Sequence, residues 1–342
     1  MPPDGLRVEE VAALEPLRAE WQALWAQLPD ATPFQSPAWL IPWWRHVGEG
    51  ALLTLAFRTE GGGELVALLP FYVYRQADGR RMLFPLGIAT TDYLDALVAP
   101  EHRAAVLPRI LPELALRGDR WDACEWPQLR AGSALLDAPL PPGWAEDRAE
   151  ADPCPVLHLP PRIEELGEAV PRDQLESLGR RRQRAAKKGA LGFERAGPGN
   201  AAELLEAHLR LHAARWTKRG EEGVLAEDAV QAAHRASLPD LLRDGALRLY
   251  AMRLDGRIVA TLQGFADPPG RVDRRVYFYL GGFDPAVERL SPGMLVVGHA
   301  IEEAVREGAA AVDFLRGQER HKYLWGAVDT PTWRRAPRRP AP

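Results

Sequence analysis

The sequence predicts a mixed α+β fold organised as two domains. Its 342 residues are long for one compact domain, and this length favours about two. Both halves also show the same order of two helices, three strands, helix, strand, helix and strand, as an internal duplication would. A proline-rich stretch, Pro153 to Pro161, separates the halves as linkers commonly do. We therefore predict domains at residues 1–155 and 156–342, each a mostly antiparallel twisted sheet flanked by helices.

In the first half, helices are predicted by apolar residues that recur at steps of three and four. Trp21, Leu24 and Trp25 follow this spacing, and Ser36-Pro37 supplies the start of a second helix. Runs of strand-forming residues bounded by turn residues then predict a series of strands. The predicted strands are Leu52–Phe57, Leu65–Tyr74, Met82–Pro85, Tyr93–Val98 and Trp121–Trp126, with a helix at His102–Leu116 before the last of them.

The second half repeats these patterns, and Asp255-Gly256 between two strand-like runs is a strong hairpin signal. A helix is predicted from Pro171 to Lys188 and another from Pro292 to Arg306. The other predicted elements are strands at Leu191–Arg195, Leu247–Leu254, Ile258–Ala266, Val272–Phe283 and Ala311–Leu315, and helices at Ala201–Trp216, Glu227–Arg243 and Arg320–Trp325.

Composition excludes several classes of protein. The net charge of −4 gives no global field that would gather DNA or anionic membrane. Cys124 and Cys154 are too few for a disulfide framework and lack the spacing of a metal site. No stretch approaches the roughly 18 apolar residues that a membrane span needs, and the first residues do not resemble a signal peptide. We expect a cytoplasmic protein without membrane insertion and without a metal.

The segment that follows the third strand of the second half is the strongest candidate for ligand binding. Tyr279, Gly281 and Gly282 lead into Ser291-Pro292-Gly293, where a helix is predicted to begin. A serine N-cap followed by proline and glycine leaves N–H groups exposed at the positive end of the helix, where a pyrophosphate could dock. Alternatively, Ser291-Pro292 is only a good helix cap.

A second candidate segment runs from Asp313 to Trp325, where a strand ends and a short helix begins. Asp313 or Glu319 could accept a proton from an acceptor amine, and His321 or Tyr323 could protonate a departing thiolate. The alternative is a solvated helix start with its apolar residues in the core.

Two further groups are candidates for substrate binding. His212, Arg215 and Trp216 lie within about one turn near a helix end, and they could bind an anionic acceptor or merely interact with the helix dipole. In the first half, Asp92 and Asp95 flank Tyr93 before a strand and could face a cleft, although a turn held by Asp side chains explains them equally.

Basic residues are dense at two places. The run from Arg180 to Lys188 could grip phosphates, but as a helix it would spread its charges around the axis, and no aromatic residues interleave for base stacking. The arginines from Arg334 to Arg339 lie in a proline-rich tail, for which we expect a disordered, solvated end.

Taken together, several blocks resemble a known family. Ser291-Pro292-Gly293, the run from Asp313 to Glu319 and the run from Lys322 to Trp325 are similar to GNAT-superfamily acetyltransferases of the cellulose-biosynthesis-protein-like group, relatives of the Fem-type peptidyltransferases. Further similar blocks are Phe34 to Trp44, Asp92 to Leu97, His212 to Gly220 and Gly281 to Asp284.

The resemblance implies two tandem GNAT-like domains, direct transfer from acetyl-CoA or another acyl-CoA, and a small-molecule acceptor amine or hydroxyl between the domains. It implies donor contacts in the second domain at Tyr279, Gly281, Gly282, Ser291, Gly293, Met294 and Lys322. The chain departs from the usual pyrophosphate motif, which would begin at Arg289, because Pro292 and Met294 replace small residues. It also carries His321 where the family's terminal block often has tyrosine.

Two other functions remain open at the level of sequence. A Fem-like transferase would take an aminoacyl group from tRNA, with the helix from Arg180 to Lys188 as the tRNA contact. A degenerate GNAT pair would bind a metabolite or a protein without catalysis. Binding of CoA would favour the acyltransferase over both.

Overall fold

The computed structural model describes residues 5–218 and 220–340, which form two compact units. The first unit contains the described residues up to Asp152 together with those from Pro331 onward, and the second contains Pro153–Thr330. The predicted division at residue 155 assigned all later residues to one domain, whereas the C-terminal segment groups with the first unit.

The first unit contains four α-helices and eleven complete or partial strands among its described residues. Strand β10 continues into the second unit, and the last strand, whose range is given below, begins there. The elements are β1 (Leu6–Val11), α1 (Arg18–Gln27), α2 (Pro37–His46), β2 (Ala51–Leu52), β3 (Thr54–Thr59), β4 (Leu65–Leu69), β5 (Phe71–Arg75), β6 (Arg81–Pro85), β7 (Leu97–Val98), α3 (Arg103–Ala115), β8 (Ala123–Cys124), β9 (Trp126–Leu129), α4 (Ala134–Asp137) and β10 (Ala145–His158).

Two small sheets in this unit have the orders β1-β3-β4-β7 and β2-β5-β6-β8. Every pairing in them is antiparallel except that of β6 with β8. The predicted strand Leu65–Tyr74 is wrong in one respect, because Pro70 divides it into β4 and β5, which join different sheets. The predicted strand Tyr93–Val98 is reduced to β7, because Tyr93 has a left-handed backbone with φ of 56°.

Tryptophan side chains fix the segment that enters α2. The indole N–H groups of Trp21 and Trp25 donate to the carbonyls of Gln35 and Thr32, at 2.9 and 2.7 Å. The buried Gln35 side chain accepts from the Thr32 N–H at 2.6 Å and donates to the Tyr93 carbonyl. Ser36 caps α2 by accepting from the Trp39 N–H, as predicted. These bonds satisfy backbone groups that helix packing would otherwise leave buried and unpaired.

The second unit begins within β10 and ends within the last strand. Its elements are α5 (Leu166–Ala169), α6 (Arg172–Ala186), β11 (Leu191–Arg195), α7 (Ala201–Thr217), α8 (Asp228–Arg243), β12 (Leu247–Leu254), β13 (Arg257–Ala266), β14 (Arg275–Phe283), α9 (Pro292–Arg306), β15 (Ala311–Asp313), α10 (Arg320–Tyr323) and β16 (Val328–Arg338).

Within the second unit the strands follow the order β11-β12-β13-β14-β15-β10. Only β14 and β15 are parallel. The β12–β13 hairpin turns at Asp255 and Gly256, both with positive φ, which confirms the predicted turn. Helices α7 and α9 pack on opposite faces, because Gly282 of β14 faces α7 and the next residue, Phe283, faces α9. The sheet therefore has a helical layer on each side.

The predicted disordered tail is wrong. Strand β16 extends to Arg338 and pairs with β9, with Trp333 opposite Leu129 and Arg335 opposite Trp126. The Arg335 side chain is 2% exposed, is bonded to the Leu135 carbonyl at 2.6 Å and forms an ion pair with Glu146. Charge and proline content suggested a solvated end, but strand pairing and a buried ion pair order this segment.

No helix among residues 5–218 and 220–340 is both long enough and apolar enough to cross a membrane. In the same described part of the chain, no group of three or more His, Cys, Asp or Glu side chains is arranged to hold a metal ion.

We predict that Gln35→Leu lowers the free energy of unfolding of the first unit by about 2–4 kcal/mol, because it leaves the buried Thr32 N–H and Tyr93 carbonyl without partners. Gln27→Leu, at an exposed position of α1, should change it by less than about 0.5 kcal/mol. Urea unfolding followed by tryptophan fluorescence measures both. Equal effects of the two substitutions would contradict this account of Gln35.

Candidate functional site

The parallel strands β14 and β15 separate after three residues. They pair from Arg275 to Tyr277 on β14, opposite Ala311 to Asp313 on β15. Beyond this point β14 continues to Phe283 while β15 ends. On its other edge, β14 carries a bulge at Tyr279, because Gln263 is opposite Leu280 and Gly264 is opposite Phe278. A bulge bends and twists its strand, so β14 turns away where β15 stops, and an edge of β14 opens.

Helix α9 begins just after this open edge, and its start differs from the prediction in one respect. Ser291 precedes Pro292 as predicted, but it has a left-handed backbone with φ of 56°, and its side chain does not cap the helix. Its hydroxyl is bonded to the Arg181 guanidinium of α6. The Ser291 carbonyl accepts from the N–H groups of Met294 and Leu295, at 3.0 and 3.2 Å. The N–H of Gly293 precedes these bonds and lies at the positive end of a 15-residue helix.

The three predicted donor-binding glycines have different surroundings. A Cβ at Gly282 would lie 2.5 Å from the backbone nitrogen of His212, so this glycine is required for close packing of α7 on β14. A Cβ at Gly281 or Gly293 would have no neighbour closer than 3.7 Å. Gly281 and Gly293 therefore leave space beside β14 and at the start of α9, whereas Gly282 is explained by packing.

Lys322 organises the loop between β15 and α10. Its ammonium group is bonded to the carbonyls of Leu315, Arg316 and Gly317, at 3.0, 2.7 and 3.0 Å, and lies 2.9 Å from the Glu319 carboxylate. Lys322 is 6% exposed, so these bonds are shielded from water. All donors of the ammonium are directed at the chain itself, and the predicted contact of Lys322 with a donor molecule stays a prediction.

Asp313, at the end of β15, is fully buried. Its carboxylate accepts from the Leu315 N–H at 2.8 Å and lies 3.8 Å from the Arg275 guanidinium. Leu315 has a left-handed backbone, with φ of 58°, which this bond helps to hold. Asp313 therefore shapes the turn that leaves the sheet.

The other predicted catalytic residues lie at α10. Burial raises the pKa of the Glu319 carboxyl, but the hydrogen bond and charge of Lys322 outweigh it and lower the pKa overall. The Tyr323 hydroxyl donates to the Asp329 carboxylate at 2.6 Å, and this bond raises its pKa. His321 is exposed. Glu319 and Tyr323 thus each have a local ionic or hydrogen-bonded partner.

The predicted residues of α7 lie against β14. Arg215 donates to the Gly281 carbonyl at 3.1 Å, and its guanidinium lies 5.5 Å from the Phe283 ring. The Trp216 indole donates to His212 Nε2 at 3.0 Å. The structure therefore brings Arg215, Trp216 and His212 together beside the open segment of β14.

A group of polar residues lies behind these side chains. We call it the polar layer, and its members are His208, His212, His234, Thr261, Gln263 and Tyr279, of which all but Tyr279 are buried. The sequence analysis named His212 and Tyr279 but missed the other four. His208 precedes His212 by one helical turn, and this spacing was the available signal. Burial lowers the pKa of His212 and of His234 to about 4, and it lowers that of His208 well below the usual value. All three imidazoles are therefore neutral at pH 7.

The predicted residues of the first unit have a local structural role. Asp95 accepts from the N–H groups of Ala134 and Leu135, at 3.1 and 3.0 Å, and so binds the start of α4. Burial raises its pKa to about 6, against the effect of these bonds. Asp92 and Tyr93 are 3% and 1% exposed. Substrate binding by Asp92, Tyr93 and Asp95 remains a prediction.

Comparison with known proteins identifies the fold. Residues 172–323 match the family model described as an acetyltransferase (GNAT) domain. FemX is similar in structure, with a TM-score of 0.66 and 11% identity over 96% of each chain. The C-terminal domain of a protein assigned as a lysylphosphatidylglycerol synthetase, from Agrobacterium fabrum, has a TM-score of 0.58 and 12% identity over 93% of this chain and 90% of that one.

A conserved protein of unknown function from Bacteroides thetaiotaomicron has a TM-score of 0.57 and 13% identity, covering 97% of this chain and all of that one. No curated protein sequence is similar enough to count as a match. Residues 172–323 of the second unit are thus similar to a GNAT acetyltransferase domain. The predicted mixed α/β fold class, with mostly antiparallel sheets flanked by helices, is confirmed.

We predict that Lys322→Met lowers the free energy of unfolding of the second unit by about 2–4 kcal/mol, because three carbonyl groups lose a shielded charged donor. Lys218→Met, at an exposed lysine paired with Glu288, should cost less than about 1 kcal/mol. Chemical denaturation compares them. A loss for Lys322→Met no greater than that for Lys218→Met would show that the hydrogen bonds of Lys322 do not stabilise the unit.

Acid should destabilise the second unit through its buried histidines. Between pH 6.5 and pH 4 the unfolded chain binds protons on these groups while the folded unit does not, so stability falls as the pH falls. We predict that His234→Phe reduces the loss between pH 7 and pH 4 by about 1–3 kcal/mol, whereas His158→Gln, at an exposed site, does not. Denaturation at a series of pH values tests this, and an unchanged slope in His234→Phe would refute it.

Proposed function

We propose that the second unit transfers an acyl group directly from acyl-CoA to an amine or hydroxyl of a small-molecule acceptor. The observation that carries the proposal is the open edge of β14. This edge begins where β15 ends and leads directly to the start of α9. A thioester can lie along this edge while its phosphates reach the helix. The match of residues 172–323 to a GNAT acetyltransferase domain supports the same chemistry.

The start of α9 fits a pyrophosphate. The Gly293 N–H and the positive end of the helix attract anions, and the absence of a side chain at Gly293 allows close approach. Arg181 adds a positive charge from α6 at the same place, through its bond to Ser291. The positive charge of Arg181 compensates for Pro292 and Met294, which replace small residues of the usual pyrophosphate motif. Binding of Met294 to the donor is proposed on position alone, since it lies in the first turn of α9.

The chemistry needs little from side chains. The acceptor nitrogen or oxygen attacks the thioester carbonyl, the C–S bond breaks, and the acceptor proton ends on the departing sulfur. Backbone N–H groups along the edge of β14, near Tyr279 and Gly281, are suited to polarise the carbonyl. Holding the reactants together supplies much of the rate.

For proton transfer we propose Glu319 as the base, because its carboxylate is ionised at pH 7 and it directly precedes α10. His321 and Tyr323, within α10, are the candidate acids, while buried Asp313 positions the preceding turn.

Among GNAT-fold proteins, we assign the chain to the cellulose-biosynthesis-protein-like, Fem-related group. The assignment rests on the block from Asp313 to Glu319 and the Lys322-Tyr323 pair, together with Ser291-Pro292-Gly293. In this structure the first two blocks form the loop that Lys322 holds by hydrogen bonds, and the third forms the start of α9.

A second candidate is a Fem-like transfer from aminoacyl-tRNA. The exposed cations at the end of α6, Arg184, Lys187 and Lys188, favour it because they form a surface suited to phosphates. Arg181 and Arg182 of the same helix are instead bound to Ser291 and Glu302 within the protein.

Acetyl-CoA should raise the melting temperature of the intact protein by a few degrees at a concentration about 100-fold above its Kd. We predict that Gly293→Trp abolishes this shift, because the indole blocks the start of α9. The matched control is Gly199→Trp, at an exposed glycine with nothing within 4 Å of its added Cβ, which should keep the shift.

Arg181→Met should weaken acetyl-CoA binding by about tenfold, the effect of losing one charge-assisted phosphate contact. Absence of any shift with acetyl-CoA, longer acyl-CoAs and free CoA would overturn the donor assignment. A shift with aminoacyl-tRNA that is lost in Arg184→Glu/Lys187→Glu would then favour the second candidate.

A further inference from the structure

The polar layer contains buried hydrogen-bonding atoms that the protein does not satisfy. His208 Nε2 and His212 Nδ1 have no hydrogen-bond partner within residues 5–218 and 220–340. Their residues are 0% and 1% exposed. Each such atom costs about 1–3 kcal/mol, so a group from outside the chain is needed to satisfy them.

Several contacts connect these residues into one group. His208 Nδ1 and Thr261 Oγ1 share a hydrogen bond of 3.0 Å, and the His208 and His212 rings lie 6.2 Å apart. The Gln263 side chain is hydrogen-bonded to His234, whose ring stacks on Tyr279 at 6.1 Å. Since Tyr279 is the bulged residue of β14, the polar layer lies directly behind the open segment of the strand.

The proton of His212 has a defined position. An indole nitrogen can only donate, so the bond from Trp216 makes His212 Nε2 an acceptor. Because the imidazole is neutral, its proton lies on Nδ1. His212 therefore presents an unsatisfied N–H donor, and His208 Nε2 is a second unsatisfied atom one helical turn away.

This combination selects among possible occupants. A hydroxyl group accepts from His212 Nδ1–H and also donates its own proton. An ammonium group only donates and would meet the His212 N–H unfavourably. It would also meet the positive charge of Arg215, which acts on His212, and no anionic group of the polar layer would balance it. Burial of an unpaired charge is costly.

The position agrees with acceptor binding. Helix α9, with the proposed phosphate site, packs on one face of β14, and α7 with the polar layer packs on the other. The loop Gly220–Glu227 passes over His212 and Trp216, since a Cβ at Gly223 would lie 2.4 Å from the His212 ring and 2.5 Å from the Trp216 ring. Donor and acceptor thus approach β14 from opposite faces, and movement of this loop would admit the acceptor.

We propose that the polar layer binds a hydroxyl group of the acceptor, which is therefore a hydroxyl-bearing molecule and not an ammonium compound. The proposal rests on the proposed acyl transfer for the word acceptor, but the binding site stands on the unsatisfied atoms themselves. In the reaction, a C–O bond to the acyl carbon forms, the thioester C–S bond breaks, and the hydroxyl proton passes to the sulfur of free CoA.

The first test measures binding without the donor. The chain has eight histidines, so selective ¹⁵N labelling gives a readable spectrum, and the His208→Leu and His212→Leu variants assign two of them. Glycerol, an uncharged triol, should shift the ring nitrogens of His208 and His212. Propane-1,3-diamine, dicationic at pH 7, should not. His299, on α9, is the internal control and should respond to neither. Failure of glycerol to shift His208 and His212, or an equal response to the diamine, would overturn the proposal.

The second test separates a binding role from a structural one. Each leucine variant removes one unsatisfied buried atom but also breaks one hydrogen bond, that of His208 with Thr261 or that of Trp216 with His212, so the melting temperature should change by only a few degrees. Release of thiol from acetyl-CoA in the presence of glycerol should fall at least tenfold in both, while the thermal shift with acetyl-CoA remains. A lowered melting temperature with an unchanged glycerol-dependent rate would show that the histidines are structural.

These outcomes also distinguish this proposal from the donor assignment. A glycerol response in the histidine spectrum without any acetyl-CoA shift would refute the donor and leave the hydroxyl site standing. An acetyl-CoA shift, with thiol release stimulated by the diamine and not by glycerol, would keep the transferase and reject a hydroxyl acceptor.

Discussion

The close approach of α7 to β14 at Gly282 is the constraint on which the second unit depends. Any side chain at this position would overlap the helix backbone. With the helix at this distance, His208 and His212 reach the sheet, and Arg215 reaches the carbonyl of Gly281. The open edge of β14, the polar layer and the proposed donor site at α9 are thus arranged around one strand. A glycine that looks like a ligand contact in the sequence has its first role in packing.

Charge is distributed differently on the two sides of β14. In the loop between β15 and α10, the buried Lys322 is bonded to three carbonyls and shapes the turn after β15. Behind the bulge, the titratable groups are neutral, and the nearest cation is bonded to a backbone carbonyl. The loop is therefore held by hydrogen bonds to a charged group, whereas the polar layer behind β14 contains hydrogen-bonding atoms without partners in the described residues. Such a division suits a protein that must hold its framework fixed while a substrate is exchanged.

Local sequence patterns predicted most of the second unit. The predicted bounds of β11, β12 and α9 agree with the structure, because apolar periodicity, a turn with positive φ and a proline at a helix start act over a few residues. The patterns were less reliable where the outcome depended on distant contacts. Pro70 separates two strands that join different sheets, and β16 is ordered by pairing with β9 and by the ion pair of Arg335 with Glu146.

The candidate site shows the same limit. The start of α9 and the residues from Asp313 to Lys322 were visible as sequence motifs. The left-handed backbone of Ser291 and its bond to Arg181, however, depend on the packing of α6 against α9. His208, His234, Thr261 and Gln263 come from three elements, and nothing in their local sequence marks them as a group. Periodicity reports which face of a helix is covered. It does not report whether polar atoms on that face find partners.

The first unit is discontinuous in sequence, and this has a consequence for its synthesis. Its last strand, β16, is encoded after the whole of the second unit, which is inserted between Asp152 and Pro331. During translation most of the inserted unit emerges from the ribosome before the strand that pairs with β9. Until that strand emerges, β9 and the carbonyl of Leu135 lack the partners that they have in the folded unit. The first unit can therefore complete its folding only after the inserted unit has been synthesised.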